Sequence, residues 1–334
     1  MDLKLLDSKL AELREPRYRA GQVWKWSARG AGGYDAMSDL PLRLRETLAE
    51  AVPFSTLTVE HEAHASDGTV KALFSTADGR PVEAVLMRYR DGRRSLCLSS
   101  QSGCPLTCTF CATGQMKFGR NLTASEILDQ ALHFRRGADR TTFPQPVDHA
   151  VFMGMGEPMM NLDNVLAACE RLPDIGISHR RTAISTIGWI PGIERLAENP
   201  MPIRLALSLH AADPALRSEL MPVNERYPLP EVIAACEAYY ERKRRKVFVE
   251  YVMLAGVNDS FAQAAQLADV LDPRRFKVNL IPYNPTDSGY AGSSPKAIAA
   301  FKDELERHGL DATVRLTRGR DIDAACGQLA ARSG

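Results

Sequence analysis

The stretch GCPLTCTFCATG, residues 103–114, is the part of this sequence that most constrains its fold and chemistry. It places Cys104, Cys108 and Cys111 at C-x3-C-x2-C spacing. Iron–sulfur clusters are held by cysteine thiolates, and three thiolates this close fit three corners of a cubic four-iron cluster. Because three ligands leave one iron open, such a cluster can bind and reduce a small molecule.

A zinc site or a chance group of buried thiols is the alternative interpretation. Structural zinc takes four ligands, typically as two spaced pairs, and the sequence has no second C-x2-C pair. His133, the nearest downstream histidine, has no second ligand at zinc-finger spacing. The spacing therefore favours the cluster.

The cysteine motif resembles the signature of the radical S-adenosylmethionine (SAM) enzymes, in which the open iron chelates the methionine end of SAM. The residue before the third cysteine, Phe110, is aromatic, as is usual in that superfamily. The resemblance implies a 4Fe–4S cluster held by Cys104, Cys108 and Cys111, with SAM as the second cofactor.

Length and composition indicate an intracellular globular enzyme. The 334 residues are 45% hydrophobic and 25% charged, which is ordinary for a globular chain that holds one large and one smaller domain. A net charge of +1 gives no overall case for nucleic-acid binding, which would need local basic patches. Without a signal peptide or a long apolar run, we expect a cytoplasmic protein whose seven cysteines are metal-binding or catalytic.

The first part of the chain reads as two small units. Residues 1–52 form the predicted accessory domain. A first helix is predicted from the helical spacing of Leu3, Leu5, Leu6, Leu10 and Leu13, and two more are predicted near 20–28 and 42–50. Residues 53–94 form a predicted β connector. Within it, residues 55–90 alternate apolar and polar side chains around two turns, which predicts a pair of antiparallel strands.

Residues 95–334 alternate strand and helix patterns, which favours parallel β/α units and a partial (β/α)6 barrel. The predicted strands are Ser95–Ser99, Ala150–Met155, Arg181–Thr186, Ile203–Leu209, Lys246–Leu254 and Phe276–Ile281. The predicted helices are Ser125–Arg135, Leu162–Glu170, Ile193–Ala197, Pro230–Arg242, Phe261–Leu271 and Pro295–His308. The cysteine motif then follows the first barrel strand, where barrel active sites lie.

Five further segments resemble the SAM-dependent adenine methyltransferases of 23S ribosomal RNA, the RlmN/Cfr group. They are CLSSQSGC (97–104), GMGEP (154–158), ISTIG (184–188), LSLH (207–210) and DIDAACGQL (321–329). The resemblance covers roughly residues 10–330 and implies the radical SAM barrel, the accessory domain and an RNA substrate.

The resemblance implies two catalytic cysteines and a base. Cys326, otherwise a small buried hydrophobe, would be methylated by one SAM, and a second SAM would supply the radical that activates this methyl group. A carbon radical can add to an electron-poor adenine carbon that does not attack SAM itself. Cys97 would then release the product by forming a transient disulfide with Cys326, and Glu83 would take the proton from the ring carbon.

Other residues are implied to bind SAM. Gly156 and Glu157 would hold its amino group, since glycine permits close backbone approach and a carboxylate pairs with an ammonium. The remaining SAM contacts implied are Ser185, Ser208, Leu209, His210 and Asn284. For His210, a packed core histidine is the alternative. Cys169 and Cys236 lie among alanines in predicted helices and are interpreted as core residues.

Two basic stretches are candidates for RNA contact. Arg14, Arg17, Arg19, Lys25 and Arg29 surround Trp24 and Trp26, and basic residues interleaved with aromatics suit phosphate contact and base stacking. A solvated helix face over a tryptophan core is the alternative. The run at 242–246 fits either a surface turn or a second RNA contact.

Carbon 2 of adenine is the favoured target, because housekeeping members of the family are commoner than those that methylate carbon 8 and confer antibiotic resistance. ISTIG leans toward the latter branch. The expected partners are 23S rRNA, tRNA as a second candidate substrate, and an electron donor such as flavodoxin, with the enzyme a monomer. A radical SAM enzyme on a non-RNA substrate is the other class, and an iron–sulfur binding protein is the non-catalytic one.

Overall fold

The structure is a computed structural model and describes residues 1–137 and 147–331. Its strands are β1 (Leu57–His64), β2 (Val70–Thr76), β3 (Pro81–Arg88), β4 (Arg94–Cys97), β5 (Gln101–Ser102), β6 (Arg120–Asn121), β7 (His149–Phe152), β8 (Thr182–Thr186), β9 (Arg204–Ser208), β10 (Val247–Met253), β11 (Phe276–Pro282) and β12 (Ala312–Val314). Its α-helices are α1 (Leu3–Glu12), α2 (Tyr18–Ala28), α3 (Leu42–Ala51), α4 (Ala124–Arg136), α5 (Leu162–Ile175), α6 (Ile190–Glu198), α7 (Pro214–Leu220), α8 (Leu229–Lys243), α9 (Phe261–Val270) and α10 (Pro295–Arg307). None of these helices is long and apolar enough to cross a membrane.

One ten-stranded sheet carries the fold, in the order β1–β2–β3–β4–β7–β8–β9–β10–β11–β12. From β4 onward neighbouring strands are parallel, and helices connect most of them. The predicted partial barrel is confirmed, and the six predicted strands are present with slightly shifted ends. Sequence analysis missed the seventh parallel strand, β12, because three residues are too few for a periodic pattern.

The connector contains three antiparallel strands, so the predicted pair was one strand short. Its turns place Gly68 and Gly79 at φ values of +82° and +74°, a region that glycine adopts without steric cost. The third strand, β3, also pairs antiparallel with β4, with Val85 opposite Cys97. The connector is therefore continuous with the barrel sheet, and β3 lies directly beside the strand that ends at Cys97.

Helices α1 to α3 share an apolar core of their own. Leu6, Val23 and Leu48 are fully buried in it, together with Leu10 and Leu44. Asp2 begins α1 by accepting hydrogen bonds from the backbone N–H groups of the first turn. The three helices predicted in this region are present, and α2 begins two residues earlier than predicted, at Tyr18.

Trp24 joins this helical unit to the barrel. Its side chain is 7% exposed, and its indole Nε1–H donates a 2.7 Å hydrogen bond to Asp174 near the end of α5. The hypothesis that Trp24 offers a stacking surface for RNA is therefore wrong, and the alternative of a packed tryptophan is confirmed. Trp26 is half-buried and donates to Asp39.

The basic run at 242–246 holds the end of the fold opposite the active site. It lies immediately before β10, whereas barrel sites form after strands. Lys243 and Arg245 donate to the carbonyl oxygens of Asn199 and Pro202, and Lys246 donates to Pro273 at 2.8 Å. These contacts favour the surface-turn interpretation over RNA contact.

Replacing Trp24 by Phe should lower the free energy of unfolding by about 1–2 kcal/mol, because a partly buried hydrogen bond and some packing are lost. Urea unfolding followed by circular dichroism measures this change. Trp26→Phe is the matched control, since the Trp26–Asp39 bond is exposed to solvent. An equal or larger cost for Trp26→Phe would contradict the docking role of Trp24.

Candidate active site

A cavity of about 160 Å³ lies where the parallel strands end. Its wall combines the loop after β4 with residues that follow β7, β8 and β9. All three cysteines of the motif line it, as do Gly156, Glu157, Ser185, Ser208, His210 and Cys326. The structure therefore brings most of the predicted site residues to one place.

The cysteine loop is fixed by backbone contacts. The Thr109 N–H donates to the Leu220 carbonyl at 3.0 Å, which ties the loop to the end of α7. A side chain at Gly114 would stand 2.9 Å from the Cys108 carbonyl oxygen, so the loop closes tightly only with glycine there. Burial raises the pKa of Cys104 to about 12, and a bound metal would be needed to hold this thiolate.

The arrangement of the cysteines is compatible with a cluster. Within residues 1–137 and 147–331, no three His, Cys, Asp or Glu side chains converge as ligands of one metal ion. A cubic cluster needs no such convergence, since each cysteine binds its own iron. Cys104, Cys108 and Cys111 nevertheless line one cavity and form no disulfide, so their thiols are available to a cluster.

Glu157 is a buried carboxylate at the cavity wall. Its two oxygens accept hydrogen bonds from the backbone N–H groups of Met159 and Ile187 at 2.9 and 3.0 Å. Burial outweighs these bonds and raises its pKa to about 7. Gly156 precedes it at φ +93°, where a Cβ would collide with Gln101 at 2.4 Å. The site thus offers a cationic ligand a carboxylate beside bare backbone.

His210 is buried and neutral. Its Nδ1 accepts a 3.0 Å hydrogen bond from the Val252 N–H, so the ring proton is on Nε2. Burial lowers its pKa to about 3, and the Phe110 ring packs edge-on against it. Ser185 and Ser208 hydroxyls stand 3.3 Å apart at the ends of neighbouring strands. Together these groups present polar atoms to a ligand without adding charge.

Leu209 and Asn284, which the resemblance implied to contact SAM, do not line this cavity. The Leu209 side chain is fully buried in the main core, and its backbone N–H donates to the Glu250 carbonyl. Leu209 therefore has no side chain in the cavity, because successive residues of an extended segment point to opposite faces. Asn284 lines a smaller adjoining cavity, where its Nδ2 donates to the Cys326 carbonyl at 3.2 Å.

This adjoining cavity, of about 30 Å³, is lined by both Cys97 and Cys326. Cys97 ends β4 and is buried, whereas Cys326 is partly exposed. Burial raises the pKa of Cys97 to about 12, and negative charge on Cys326 acts in the same direction. The two cysteines that the family resemblance pairs therefore line one pocket beside the larger cavity.

The C-terminal segment that carries Cys326 is held across the barrel mouth. The Gly327 and Leu329 carbonyls accept hydrogen bonds from the Ala112 N–H and the Thr113 hydroxyl of the cysteine loop, at 2.8 and 2.6 Å. Gln328 Nε2 donates to the Pro285 carbonyl at 2.9 Å. These bonds place Cys326 between the cysteine loop and Cys97.

Arg315 and Glu250 are site residues that sequence analysis missed. Arg315 Nη1 lies 3.4 Å from Glu250 Oε2, and Asn279 donates to the other Glu250 oxygen at 2.9 Å. Negative charge on Cys326, followed by that on Glu250, raises the pKa of Arg315, so Arg315 stays charged beside both catalytic cysteine candidates. A lone glutamate within the apolar strand VFVEYVM (247–253) was the available signal.

Glu83 lies in the middle of β3 with a fully buried side chain. Its Oε1 is 3.0 Å from Lys71 Nζ, and its Oε2 accepts a 3.0 Å hydrogen bond from the Ala331 N–H. Met155 Sδ contacts the Glu83 backbone N–H. The carboxylate is thus held between the connector and the C-terminal segment that carries Cys326.

Two family models match the chain. The Radical SAM superfamily matches residues 98–268, which include the cysteine motif and four of the parallel strands, β7 to β10. The ribosomal RNA large subunit methyltransferase N-terminal domain matches residues 1–53, which contain the three N-terminal helices.

Curated relatives match nearly the whole chain. A probable dual-specificity RNA methyltransferase RlmN from Thermus thermophilus is 44% identical over 326 residues, covering 96% of this chain and 90% of the relative. One from Moorella thermoacetica is 46% identical, covering 98% and 97%. The crystal structure of a radical SAM methyltransferase from Sphaerobacter thermophilus superposes with a TM-score of 0.93 at 43% identity, covering 99% of this chain and 98% of that one. The chain therefore belongs to the RlmN family of radical SAM RNA methyltransferases.

Proposed function

We propose that this protein transfers a methyl group from SAM to carbon 2 of an adenosine in 23S rRNA, and that tRNA is a second substrate. The observation that carries the proposal is the pocket shared by Cys97 and Cys326, beside the cavity lined by the three motif cysteines. A radical SAM enzyme acting on a small molecule needs neither a methyl-carrying nor a resolving thiol.

Cys104, Cys108 and Cys111 would hold a 4Fe–4S cluster, which together with SAM supplies a 5′-deoxyadenosyl radical when bound. Glu157 would pair with the amino group of SAM, and Gly156 would let the ligand approach the backbone. Ser185, Ser208, His210 and Asn284 would supply neutral hydrogen-bonding groups, with Leu209 contributing backbone only. Two SAM molecules would be used per turnover, one to methylate Cys326 and one for the radical.

Cys326 carries the methyl group as a thioether and presents it to the adenine. After the methylene radical has bonded to ring carbon 2, the adduct must pass its unpaired electron to a one-electron acceptor, a role that the bound cluster would fill. The thiolate of Cys97 then attacks the Cys326 sulfur. The S–S bond forms, the S–CH2 bond breaks with its electron pair on carbon, and a proton completes the methyl group. Glu83 accepts the proton that leaves the ring. Arg315, beside both sulfurs, favours the thiolate that this attack requires.

RNA contact would involve the accessory domain, residues 1–52. Arg14, Arg17, Lys25 and Arg29 are exposed there, and Arg19 is half-buried. Because Trp24 is packed inward, these residues would contact phosphates and position the RNA rather than stack on its bases. The target adenine must leave its stack to reach Cys326.

The remaining partners follow from the chemistry. Radical formation needs a one-electron donor, for which a flavodoxin is suitable, and an RNA substrate together with reduced thiols suits a cytoplasmic monomer. Residues 53–94 would connect the accessory domain to the catalytic domain at 95–334 and supply Glu83.

The regiochemistry is tested by mass spectrometry. Anaerobically reconstituted enzyme, given SAM, a reductant and 23S rRNA, should yield 2-methyladenosine after nuclease digestion. A parallel reaction with tRNA tests the second substrate. A product that matches an 8-methyladenosine standard would place the chain in the carbon-8 branch with the same catalytic residues, and 5′-deoxyadenosine without methyladenosine would contradict the RNA substrate.

Replacing Cys326 and replacing Cys97 should block the reaction at different steps. Cys326→Ala should abolish methyl transfer while SAM cleavage continues, because the methyl carrier is absent. Cys97→Ala should accumulate a covalent RNA–protein adduct, because the Cys326 sulfur is not attacked. Denaturing gels and mass spectrometry detect the adduct. Cys169→Ala is the matched control, since Cys169 is fully buried in the core and should be dispensable for methylation. Equal behaviour of Cys97→Ala and Cys169→Ala would contradict the resolving role.

Acid pH should weaken SAM binding through Glu157. Because burial raises the pKa of Glu157 to about 7, its ionised form is lost as the pH falls through this value. Affinity should therefore drop roughly tenfold between pH of about 7.5 and about 6, measured by equilibrium dialysis with reconstituted enzyme. Glu157→Gln should bind SAM weakly with a shallower pH dependence. A variant as steep as the wild type would show that another group causes the effect.

A further inference from the structure

A further cavity, of about 460 Å³, lies on the connector side of the site and is distinct from the pocket of about 30 Å³ shared by Cys97 and Cys326. It lies between strands β1 to β3 and the C-terminal segment, and its wall includes His61, Lys71, Glu83, Asp321, Asp323 and Gln328. Of these, His61, Asp321 and Asp323 are exposed, so the cavity reaches solvent. Only Glu83 among these six belongs to the proposed machinery, and the cavity lies outside the SAM-binding wall.

Lys71 is the cation of this cavity that touches Glu83. Its ammonium nitrogen is 3.0 Å from Glu83 Oε1 and 3.3 Å from the Asp323 carbonyl oxygen. The Lys71 side chain is 11% exposed, and that of Glu83 is fully buried. A buried carboxylate without a partner is costly and tends to become neutral. Lys71 therefore offsets the cost of burying the Glu83 carboxylate and at the same time anchors the segment that carries Cys326.

The two oxygens of Glu83 are held differently. Oε2 accepts the well-aligned hydrogen bond from Ala331, whereas Oε1 contacts Lys71 as an ion pair without hydrogen-bond alignment. Among the described residues, Oε1 has no aligned donor. This oxygen thus keeps a lone pair that can accept a proton while the ammonium remains within 3.0 Å.

We propose that Lys71 is a positioning residue that pairs with the Glu83 carboxylate and orients it, and that the cavity of about 460 Å³ is the route by which the proton leaves. The inference rests on the proposed function, in which Glu83 is the base. The C–H bond at the adenine carbon breaks with its electron pair left on the ring, and the proton bonds to the Glu83 carboxylate. Glu83 then passes this proton to water in the cavity, which restores the ion pair with Lys71. The step involves no oxidation or reduction.

The test is the coupling between SAM cleavage and methylation. If the ring proton is not removed, the adenine adduct reverts, and 5′-deoxyadenosine accumulates without product. Lys71→Met and Lys71→Gln should raise the ratio of 5′-deoxyadenosine to 2-methyladenosine by roughly tenfold, which is less than the roughly 10²–10⁴-fold typical of a whole general base, because Glu83 itself remains. Methylation of Cys326 itself, measured by mass spectrometry of the protein, should stay near the wild-type level. A merely structural loss would lower both.

Charge and location have separate controls. Lys71→Arg keeps the charge and should restore the ratio to near wild type. Lys277→Met is the matched control, since Lys277 pairs with Asp311 at 3.0 Å on β11, away from this cavity. If Lys71→Gln methylates Cys326 and keeps the wild-type ratio of 5′-deoxyadenosine to 2-methyladenosine, the inference is overturned. It is also overturned if Lys71→Arg is as uncoupled as Lys71→Gln.

Glu83→Gln separates this inference from the proposed function. If Glu83→Gln raises the ratio of 5′-deoxyadenosine to 2-methyladenosine and Lys71→Gln does not, only the role of Lys71 is refuted. If Glu83→Gln keeps the wild-type ratio, Glu83 is not the base, and the role of Lys71 is refuted with it. Absence of methyladenosine from the wild-type enzyme refutes the proposed function itself.

Discussion

The hydroxyl of Ser99 is the contact on which the arrangement of the site depends. Its Oγ donates to the Glu83 carbonyl on β3 at 2.5 Å and accepts from the Met155 N–H after β7 at 2.7 Å. Ser99 is fully buried and follows Cys97 by two residues. One hydroxyl therefore fixes the spacing between the strand of the base candidate, the strand of the resolving cysteine and the loop that leads to Glu157. Gly154 is required beside it, because a Cβ there would stand 2.6 Å from Ser99 Oγ.

The cavity of about 160 Å³ and the neighbouring pocket of about 30 Å³ present different charged groups to a ligand. Around Glu157 and His210 the larger cavity offers a carboxylate and a neutral imidazole, which suit a cationic sulfonium ligand, and Arg315 also lines this cavity. Around Cys97 and Cys326 the charge of Arg315 is balanced by Glu250. Cys97 is nonetheless protonated at rest, because burial raises its pKa to about 12. In the proposed mechanism, Cys97 would thus stay protonated until the adduct forms, while the cation that favours its ionisation is already in place.

Local motifs in the sequence predicted the parts of the site whose residues are adjacent in the chain. The cysteine loop, GMGEP and the strand ends are short segments whose chemistry and spacing can be read directly, and the barrel follows from alternating periodicity. Arg315 and Lys71 were missed, because each acts through a partner far away in sequence and neither stands in a distinctive pattern. Trp24 was ambiguous for the same reason, since its partner Asp174 lies 150 positions along the chain. Sequence position alone does not distinguish a stacking tryptophan from a docking one.

Arg217 is a buried cation that is linked to the buried carboxylate of Glu157 through the backbone of Ile187. It is fully buried, and its Nη2 donates to the Ile187 carbonyl at 2.7 Å, while the Ile187 N–H donates to Glu157. Burial lowers the pKa of Arg217 to about 10 and raises that of Glu157 to about 7. Because the folded Glu157 holds its proton more tightly than the usual value of 4.5, its burial makes the fold less stable as the pH rises from about 4.5 to about 7. The fold therefore accepts a stability cost at neutral pH to keep a carboxylate at the cavity wall, and a cationic ligand that pairs with Glu157 offsets that cost on binding.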